Sequence, residues 1–306
     1  MEPNHSDPGT PGPASISEGV GTERPVGRAR ARPLASGWLW WKQAACLVSR
    51  DWSRWTLAVL VLLAVIVGIN LVALLVPLVG GLLPTLLTPL FGAGLFHIAQ
   101  RRWRGDAFQL GDLFAGLSQR TGPLLLAGLA QMVIQIAFLL SAAVLLVVVF
   151  GADMMAAYAG VIGEGALSSP DPGGPGLIGA LLVLLLLLAL LLPYMAALWF
   201  QIPLVYLGGR GPFVALGDSL KAVAINWLAM FWYGVIPLVF GVALMGIGGL
   251  LVGLIHLVFG QGVLAAILYG VVALAGCVGG LFLVALCVVS LYASFRDIFG
   301  LDAQAD

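Results

Sequence analysis

The sequence predicts an all-α, multi-pass membrane protein with about six transmembrane helices. Hydrophobic residues make up 61% of its 306 residues and charged residues only 9%, against roughly 45–50% and 25% in an ordinary soluble domain. The apolar residues form six long runs, and the Lys and Arg residues between the runs fall in alternate connections. No soluble fold could bury so much apolar surface, whereas a bilayer accommodates it.

The N-terminal residues 1–33 are rich in Pro, Gly, Ser and Arg and have no periodic apolar face. Such a segment cannot bury enough apolar surface to offset the entropy of ordering it, so we expect a disordered tail. It also lacks the apolar stretch that a secretory signal peptide requires. We therefore expect the first span to serve as the insertion signal.

Residues 34–55 have the pattern of an amphipathic helix. Its apolar stripe, with spacings of three and four, consists of Trp38, Trp41, Ala45, Val48, Trp52 and Trp55. Lys42, Arg50 and Arg54 lie off this stripe. The pattern predicts an interfacial helix that lies in the headgroup plane, and an alternative of equal weight is a helix packed on the protein's own cytoplasmic face.

Six apolar runs follow this helix. They are Thr56–Val76, Leu82–Ala99, Pro123–Phe150, Leu177–Leu207, Trp227–Phe259 and Val263–Leu291. Each approaches or exceeds the roughly 20 residues that a helix needs to span a bilayer. We therefore expect a six-helix transmembrane domain over residues 56–295 and a short cytoplasmic tail over residues 296–306. Pro237 and nearby glycines predict a bend or break in the fifth run.

The basic residues in the short connections all fall on one side of the predicted membrane domain. They are Lys42, Arg50 and Arg54 before the first run, Arg101, Arg102, Arg104 and Arg120 after the second, and Arg210 and Lys221 after the fourth. The opposite connections contain no Lys or Arg, although residues 151–176 include three acidic residues. The positive-inside rule therefore predicts that both termini face the cytoplasm.

A short motif occurs twice in these basic connections. Arg104-Gly105, four further residues and Leu110-Gly111-Asp112 recur 106 residues later as Arg210-Gly211 and Leu216-Gly217-Asp218. Because Arg and Asp are scarce in this chain, the coincidence predicts an internal repeat, namely a duplicated helical hairpin. Both copies join an inward span to an outward one, so the two halves would be related by an axis along the membrane normal.

The repeated connections have a structural and a functional interpretation. In the first, Asp112 and Asp218 cap the amide groups of short helices. In the second, basic side chains contact lipid headgroups or a partner protein. The arginines concerned are Arg101, Arg102, Arg104 and Arg210. We favour the structural interpretation.

No feature of the sequence indicates an enzyme. The six runs contain no Asp, Glu, Lys or Arg, whereas ion pumps generally need intramembrane ionisable groups. No P-loop, zinc-protease or nucleophile-elbow motif is present, and His97 and His256 lie at opposite span ends, too far apart to share a metal. We therefore predict no catalytic, cofactor-binding or metal site. The net charge of zero gives no indication of nucleic acid as a partner.

The segment FGAGLFHIAQRRWRGDAFQLGDLFAGLSQRTGPLLLAGL, residues 91–129, resembles the signature region of a proteobacterial family of uncharacterised six-span inner-membrane proteins. More remotely, the architecture is similar to the membrane regions attached to some bacterial glycerophosphodiester phosphodiesterases, but this chain has no room for that catalytic domain. The resemblance implies the fold and a location in the bacterial inner membrane. It supplies no catalytic residues.

Two functions from different classes remain open. The leading hypothesis is a non-catalytic inner-membrane protein that organises membrane lipids or partner membrane proteins through its basic, Trp-rich cytoplasmic face. The alternative is a permease or lipid transporter, since Pro84, Pro89, Pro193 and Pro203 interrupt the second and fourth runs and interrupted helices often line transport sites. A lipid-modifying enzyme would need His97, Asp106, Asp112 or Asp218 to converge in one pocket.

Overall fold

The computed structural model describes residues 26–75, 82–107, 109–163 and 177–301. The elements are α1 (Ser36–Arg50), α2 (Trp52–Leu74), α3 (Leu82–Trp103), a 3-10 helix (Leu110–Phe114), α4 (Ala115–Gln119), α5 (Thr121–Gly163), α6 (Leu177–Trp199), α7 (Gln201–Tyr206), α8 (Pro212–Ile225), α9 (Trp227–Phe259) and α10 (Val263–Phe299). Every regular element in these ranges is helical. The predicted all-α class is confirmed for this part of the chain.

Five helical segments in the described residues are long and apolar enough to cross a membrane. They are Trp52–Leu74, Thr121–Gly151, Leu181–Tyr206, Trp227–Phe259 and Val263–Phe299. The prediction of a membrane protein with several apolar helices is therefore confirmed. The predicted second span forms the 22-residue α3, which is not among these five segments. The prediction of six spans is not confirmed.

The fifth predicted span is continuous, whereas the fourth is interrupted near Pro203. α9 continues through Pro237 as one helix of 33 residues, so the expected break does not occur. The helix break lies instead between α6 and α7, where Phe200 has φ −108° and ψ 8°. Pro203 explains its position, because Pro lacks the N–H that would bond to the carbonyl of Trp199 four residues earlier.

Besides α6 and α7, three helix pairs are joined by a single non-helical residue. Asp51 separates α1 from α2 with φ −136° and ψ 41°, Arg120 separates α4 from α5 with φ −142° and ψ 42°, and Asn226 separates α8 from α9 with φ −113° and ψ 19°. The second and third of these breaks are 106 residues apart. That is the offset of the predicted repeat. The end of the molecule where these three breaks lie is called the basic end below.

The helix α1 packs on the rest of the protein. Its buried residues include Trp40, Trp41 and Val48, and the indole N–H of Trp41 donates to the carbonyl oxygen of Tyr233 in α9 at 2.9 Å. The predicted stripe is divided, because Trp38 is 60% exposed. One face of α1 is therefore packed on the protein itself, whereas Trp38 of the predicted stripe is left exposed.

The structure corrects several predicted domain boundaries. Residues 26–33 are not a disordered tail, because hydrogen bonds hold their irregular backbone: Arg30 N–H donates to the Ile298 carbonyl at 2.9 Å and Arg32 N–H to Asn226 Oδ1 at 2.7 Å. Composition counts only a segment's own apolar surface and misses such distant partners. The helix predicted over residues 34–55 ends at Arg50, and α10 continues beyond residue 295 to Phe299. Residues 1–25 and 302–306 lie outside the described residues.

Candidate functional site

The first repeated connection uses Asp112 to hold two elements together. Arg101 at the end of α3 donates from Nη1 to both carboxylate oxygens of Asp112 at 3.0 Å. The same carboxylate accepts the backbone N–H of Gln109, which precedes the 3-10 helix, at 2.8 Å. Asp112 therefore caps the start of this short helix, as the structural interpretation expects.

The second repeated connection differs from the first. Asp218 lies inside α8, whose N-cap residue is Gly211, and it forms an ion pair with Arg210. It does not cap a helix start, because Pro212 begins α8 six residues earlier than the motif suggests. The other terminal nitrogen of Arg210 donates to the carbonyl oxygens of Val26 and Gly27 at 3.0 and 2.9 Å.

The remaining predicted arginines also have contacts within the chain. Arg102 forms an ion pair with Asp51, the residue between α1 and α2, and it donates to the carbonyl oxygen of Asp106 at 3.3 Å. Arg104 lies exposed in the turn after α3 and has an interaction of its own. Arg101, Arg102 and Arg210 therefore join elements of the chain, which reduces what they can offer to a lipid headgroup.

A partly buried polar group that the sequence did not reveal joins α3, α4 and α7. The Tyr206 hydroxyl lies 2.9 Å from His97 Nδ1 and donates to Gln119 Oε1 at 2.8 Å. Tyr206 is only 6% exposed. The group connects the two halves of the predicted repeat, since Tyr206 belongs to one and His97 and Gln119 to the other.

A second buried polar group satisfies the break between α6 and α7. The Ser219 hydroxyl accepts the N–H of Phe200 at 2.8 Å and donates to the carbonyl oxygen of Ala196 at 2.7 Å. In an uninterrupted helix Phe200 would bond directly to Ala196, so Ser219 is inserted into one broken helical bond. Gln201, which is fully buried, adds a contact to Gln131 at 2.8 Å.

Exposed aromatic and basic side chains are gathered at the basic end. We call these residues the aromatic-basic surface. Its large apolar members are Trp38, Trp52, Phe213, Trp227 and Phe231, and its basic members are Lys42, Arg50, Arg54 and Lys221. They lie in α1 and α8 and in the first turns of α2 and α9. This combination is typical of helices at a membrane interface.

Two of the apolar grooves lined by described residues open on the sides of the helix bundle. The larger, of about 440 Å³, lies between the start of α1 and α9 and is lined by Leu34, Ala35, Trp38, Trp232, Val235, Ile236, Val239 and Phe240. The smaller, of about 170 Å³, lies between α2 and α3, and Asn70 and Thr88 are its polar lining residues. Within the described ranges no three His, Cys, Asp or Glu side chains are grouped closely enough to hold a metal ion.

Comparison with known proteins supports the membrane assignment. The model of a family described as a predicted integral membrane protein (DUF2189) matches residues 74–206, which extend from the end of α2 to the end of α7. No curated protein and no solved structure matches the chain. Over this region, which is less than half of its length, the chain is similar to an uncharacterised family of integral membrane proteins.

Proposed function

We propose that this protein is a non-catalytic, multi-pass protein of the bacterial inner membrane that organises lipids through its aromatic-basic surface. In this proposal both termini and the aromatic-basic surface face the cytoplasm. Anionic phospholipid is the partner that the observations favour, although the same surface could also gather membrane proteins. The distribution of paired and unpaired charges at the basic end carries the proposal.

The carboxylates at the basic end are mostly neutralised inside the protein. Asp51, Asp112, Asp218 and Asp297 each form an ion pair with an arginine. By contrast, the four basic members of the aromatic-basic surface form no ion pair with another described residue and are exposed. Among the described residues, no carboxylate therefore pairs with the positive charge of this surface.

This positive charge is placed where it can act on lipid. Juxtamembrane Lys and Arg residues contribute about 1 kcal/mol each to the attraction of an anionic membrane surface. Exposed tryptophans beside them, such as Trp52 and Trp227, favour the level of the headgroups. Together they would concentrate anionic lipid around the cytoplasmic end of the protein.

Six spans and a true internal repeat are part of the same proposal. Arg102 at the end of α3 contacts Asp51 at the start of α2, so α3 returns to the end from which α2 departs. Its 22 residues give a helix of about 33 Å, long enough for the hydrocarbon core. The equal spacing of the breaks at Arg120 and Asn226 supports the repeat.

Fluorescence quenching by brominated lipid tests the lipid proposal. The protein is reconstituted with phosphatidylcholine and a small fraction of brominated phosphatidylglycerol, or with the same fraction of brominated phosphatidylcholine. We expect stronger tryptophan quenching by the anionic lipid, decreasing with salt. The variant Lys42→Gln, Arg50→Gln, Arg54→Gln, Lys221→Gln should lose this preference.

The matched control keeps every charge: at the same four positions each Lys is replaced by Arg and each Arg by Lys. It should retain the preference, since a diffuse attraction depends on charge and not on the geometry of the cation. Equal quenching by both lipids in the unaltered protein, or an unchanged preference in the neutralised variant, would contradict the proposal.

A permease or lipid transporter is the alternative, and the interrupted α6–α7 helix favours it. The polar residues Gln131, Gln201 and Ser219 lie at this interruption, and broken helices often line transport sites. Transfer of a fluorescent phospholipid between leaflets of proteoliposomes would reveal such an activity. Faster transfer than in protein-free vesicles, abolished by Gln131→Leu but not by Gln135→Leu, would favour the transporter.

A further inference from the structure

Three central helices end in the same way at the basic end. α3, α7 and α10 are each followed within three residues by a glycine of positive φ, namely Gly105 (92°), Gly209 (64°) and Gly300 (75°). Such glycines commonly end helices, because a left-handed residue turns the chain away from the helix axis.

The rest of the described fold can be divided around these helix ends into three equivalent units. A unit is a helix that ends at one of the glycines, then a short helix, a single-residue break and a long apolar helix. The first unit is α3, the 3-10 helix with α4, and α5; the second is α6–α7, α8 and α9; the third is α10, α1 and α2. The third unit combines the last helix of the chain with the first two.

At the junction between the first and second units, the residue at the helix break of the first unit, Arg120, contacts the end of α7 and Gly209, which belong to the second unit. Arg120 donates from Nη1 to the carbonyl oxygen of Val205 at 3.3 Å. Its guanidinium also covers Gly209, since a Cβ added there would lie 3.1 Å from Arg120 Nη1. The corresponding contact from the third unit to the first is the ion pair of Asp51 with Arg102, three residues before Gly105.

The junction between the second and third units is made differently. Its break residue, Asn226, binds residues 26–33 in place of the next helix end: Oδ1 accepts Arg32 N–H at 2.7 Å and Nδ2 donates to the Arg30 carbonyl at 3.0 Å. The guanidinium of Arg30 then covers Gly300, where a Cβ would lie 2.9 Å from Arg30 Cζ. Arg30 therefore occupies at Gly300 the position that Arg120 occupies at Gly209.

We infer that residues 26–33 are a strap that closes a ring of three equivalent helical units, bound in a peptide cleft between α8–α9 and the end of α10. The cleft contacts the strap mainly through hydrogen bonds to the backbone of the strap. Arg210 holds its first two carbonyls, Asn226 holds Arg30 and Arg32, and Arg30 N–H bonds to Ile298. Binding of an extended peptide through main-chain hydrogen bonds is a general mode of recognition.

Two side chains give the cleft selectivity for this segment. Val26 is buried in the apolar core, and Arg32 forms an ion pair with Asp297 at 3.0 Å. Trp40 in α1 also donates to the Asp297 carboxylate at 2.9 Å. The strap adds to the direct packing of α1 on α9 through Trp41 and Tyr233, so its release would loosen this junction at the basic end without unfolding any helix.

Amide exchange in the full chain tests the strap. We expect the N–H groups of Arg30 and Arg32 to be protected in the unaltered protein. In Asn226→Ala their exchange should become roughly tenfold faster, because one bond to each residue is lost. The matched control, Asn70→Ala, removes an amide that bonds only within its own helix, to Ile66, and should change nothing in the strap.

Exchange in the core of α3 separates local release from unfolding. Unchanged exchange at Ala93, which is fully buried, together with faster exchange at Arg30 supports the strap. Rapid exchange at Arg30 and Arg32 in the unaltered protein, or no response to Asn226→Ala, overturns it.

A circular permutant tests the ring itself. Gly27 lies beside Phe299, since a Cβ on Gly27 would be 3.1 Å from the Phe299 carbonyl oxygen, so a short linker can join Leu301 to Val26. The permuted chain begins at Asp106 and ends at Gly105, the counterpart of Gly300. We expect it to fold and to melt within a few degrees of the original order. A control opened inside α8, after Asp218, should not fold; equal failure of both permutants overturns the equivalence of the units.

Discussion

The hydroxyl of Ser219 in α8 accepts the backbone N–H of Phe200, the residue that separates α6 from α7, at 2.8 Å. Both residues are fully buried. Because this hydroxyl also donates to Ala196, one side chain satisfies both ends of a broken helical bond. The stability of the interrupted helix therefore depends on a residue in another element.

Ser219→Ala should destabilise the protein by about 1–3 kcal/mol, because it leaves a buried N–H and a buried carbonyl oxygen without this partner. Thermal unfolding in detergent, followed by circular dichroism, measures the change. Ser49→Ala is the control, since that exposed hydroxyl bonds only to Cys46 in its own helix. An equal melting temperature for both variants would contradict the bridging role.

Gly94→Ala should be strongly destabilising. A Cβ at Gly94 would lie 1.8 Å from the Leu113 carbonyl oxygen, so α3 and the 3-10 helix would have to separate, at a cost of about 1–3 kcal/mol or more. Gly68→Ala is the matched control in α2, where a Cβ meets nothing within 4 Å. It should be neutral or slightly stabilising, as Ala favours helices. Melting temperatures of the two variants, compared in one detergent, decide the question.

Arg210→Lys should lower stability even in neutral detergent. Lys keeps the charge but cannot bind Asp218 and the carbonyls of Val26 and Gly27 at once. Loss of charge-assisted hydrogen bonds of this kind costs about 1.5–3 kcal/mol. Lys221→Arg, an exchange at an exposed position of α8, should have little effect on the melting temperature.

The same variant distinguishes the two interpretations of the repeated connections. If Arg210 served mainly to bind a headgroup phosphate, Arg210→Lys would leave the melting temperature in neutral detergent unchanged and reduce only the preference for anionic lipid. The internal role that the contacts favour predicts the opposite result.

Cysteine labelling tests the orientation. In a chain with Cys46, Cys277 and Cys287 replaced, Ser168→Cys should react with an impermeant thiol reagent in intact cells, whereas Ser118→Cys in α4 should be protected. The basic side is expected to be cytoplasmic because short connections rich in Lys and Arg are retained there. Protection of the cysteine at position 168 together with labelling at position 118 would mean the inverse orientation.

The sequence was informative about features that depend on neighbouring residues. Long apolar runs predict where the spanning helices lie, and the repeated motif predicts that the helix ends around Gln119 and Ile225 are equivalent. The motif did not predict the role of Asp218, because an Asp at this position caps a helix only if the helix begins beside it. Pro212 moves that start upstream, which places Asp218 in the helix interior.

Contacts between distant residues could not be predicted in this way. His97 and Tyr206 are separated by 109 residues, and Arg30 and Asn226 by 196. No local sequence pattern indicates either contact, since each residue is compatible with its own neighbours in the chain. The strap was missed for the same reason, because its polar composition is typical of disorder until Arg210 and Asn226 are placed beside it.

The length of α9 has a consequence for its position in the surrounding bilayer. Its 33 residues, apolar almost throughout, form a helix of about 50 Å, whereas a typical hydrocarbon core is about 30 Å thick. With Trp227 and Phe231 at the level of the headgroups, the remaining apolar length of about 42 Å approaches that thickness only at a tilt near 40°, the upper end of the range for membrane helices. We therefore expect α9 to cross the bilayer steeply tilted, and a membrane with longer lipid chains should allow it to stand more upright.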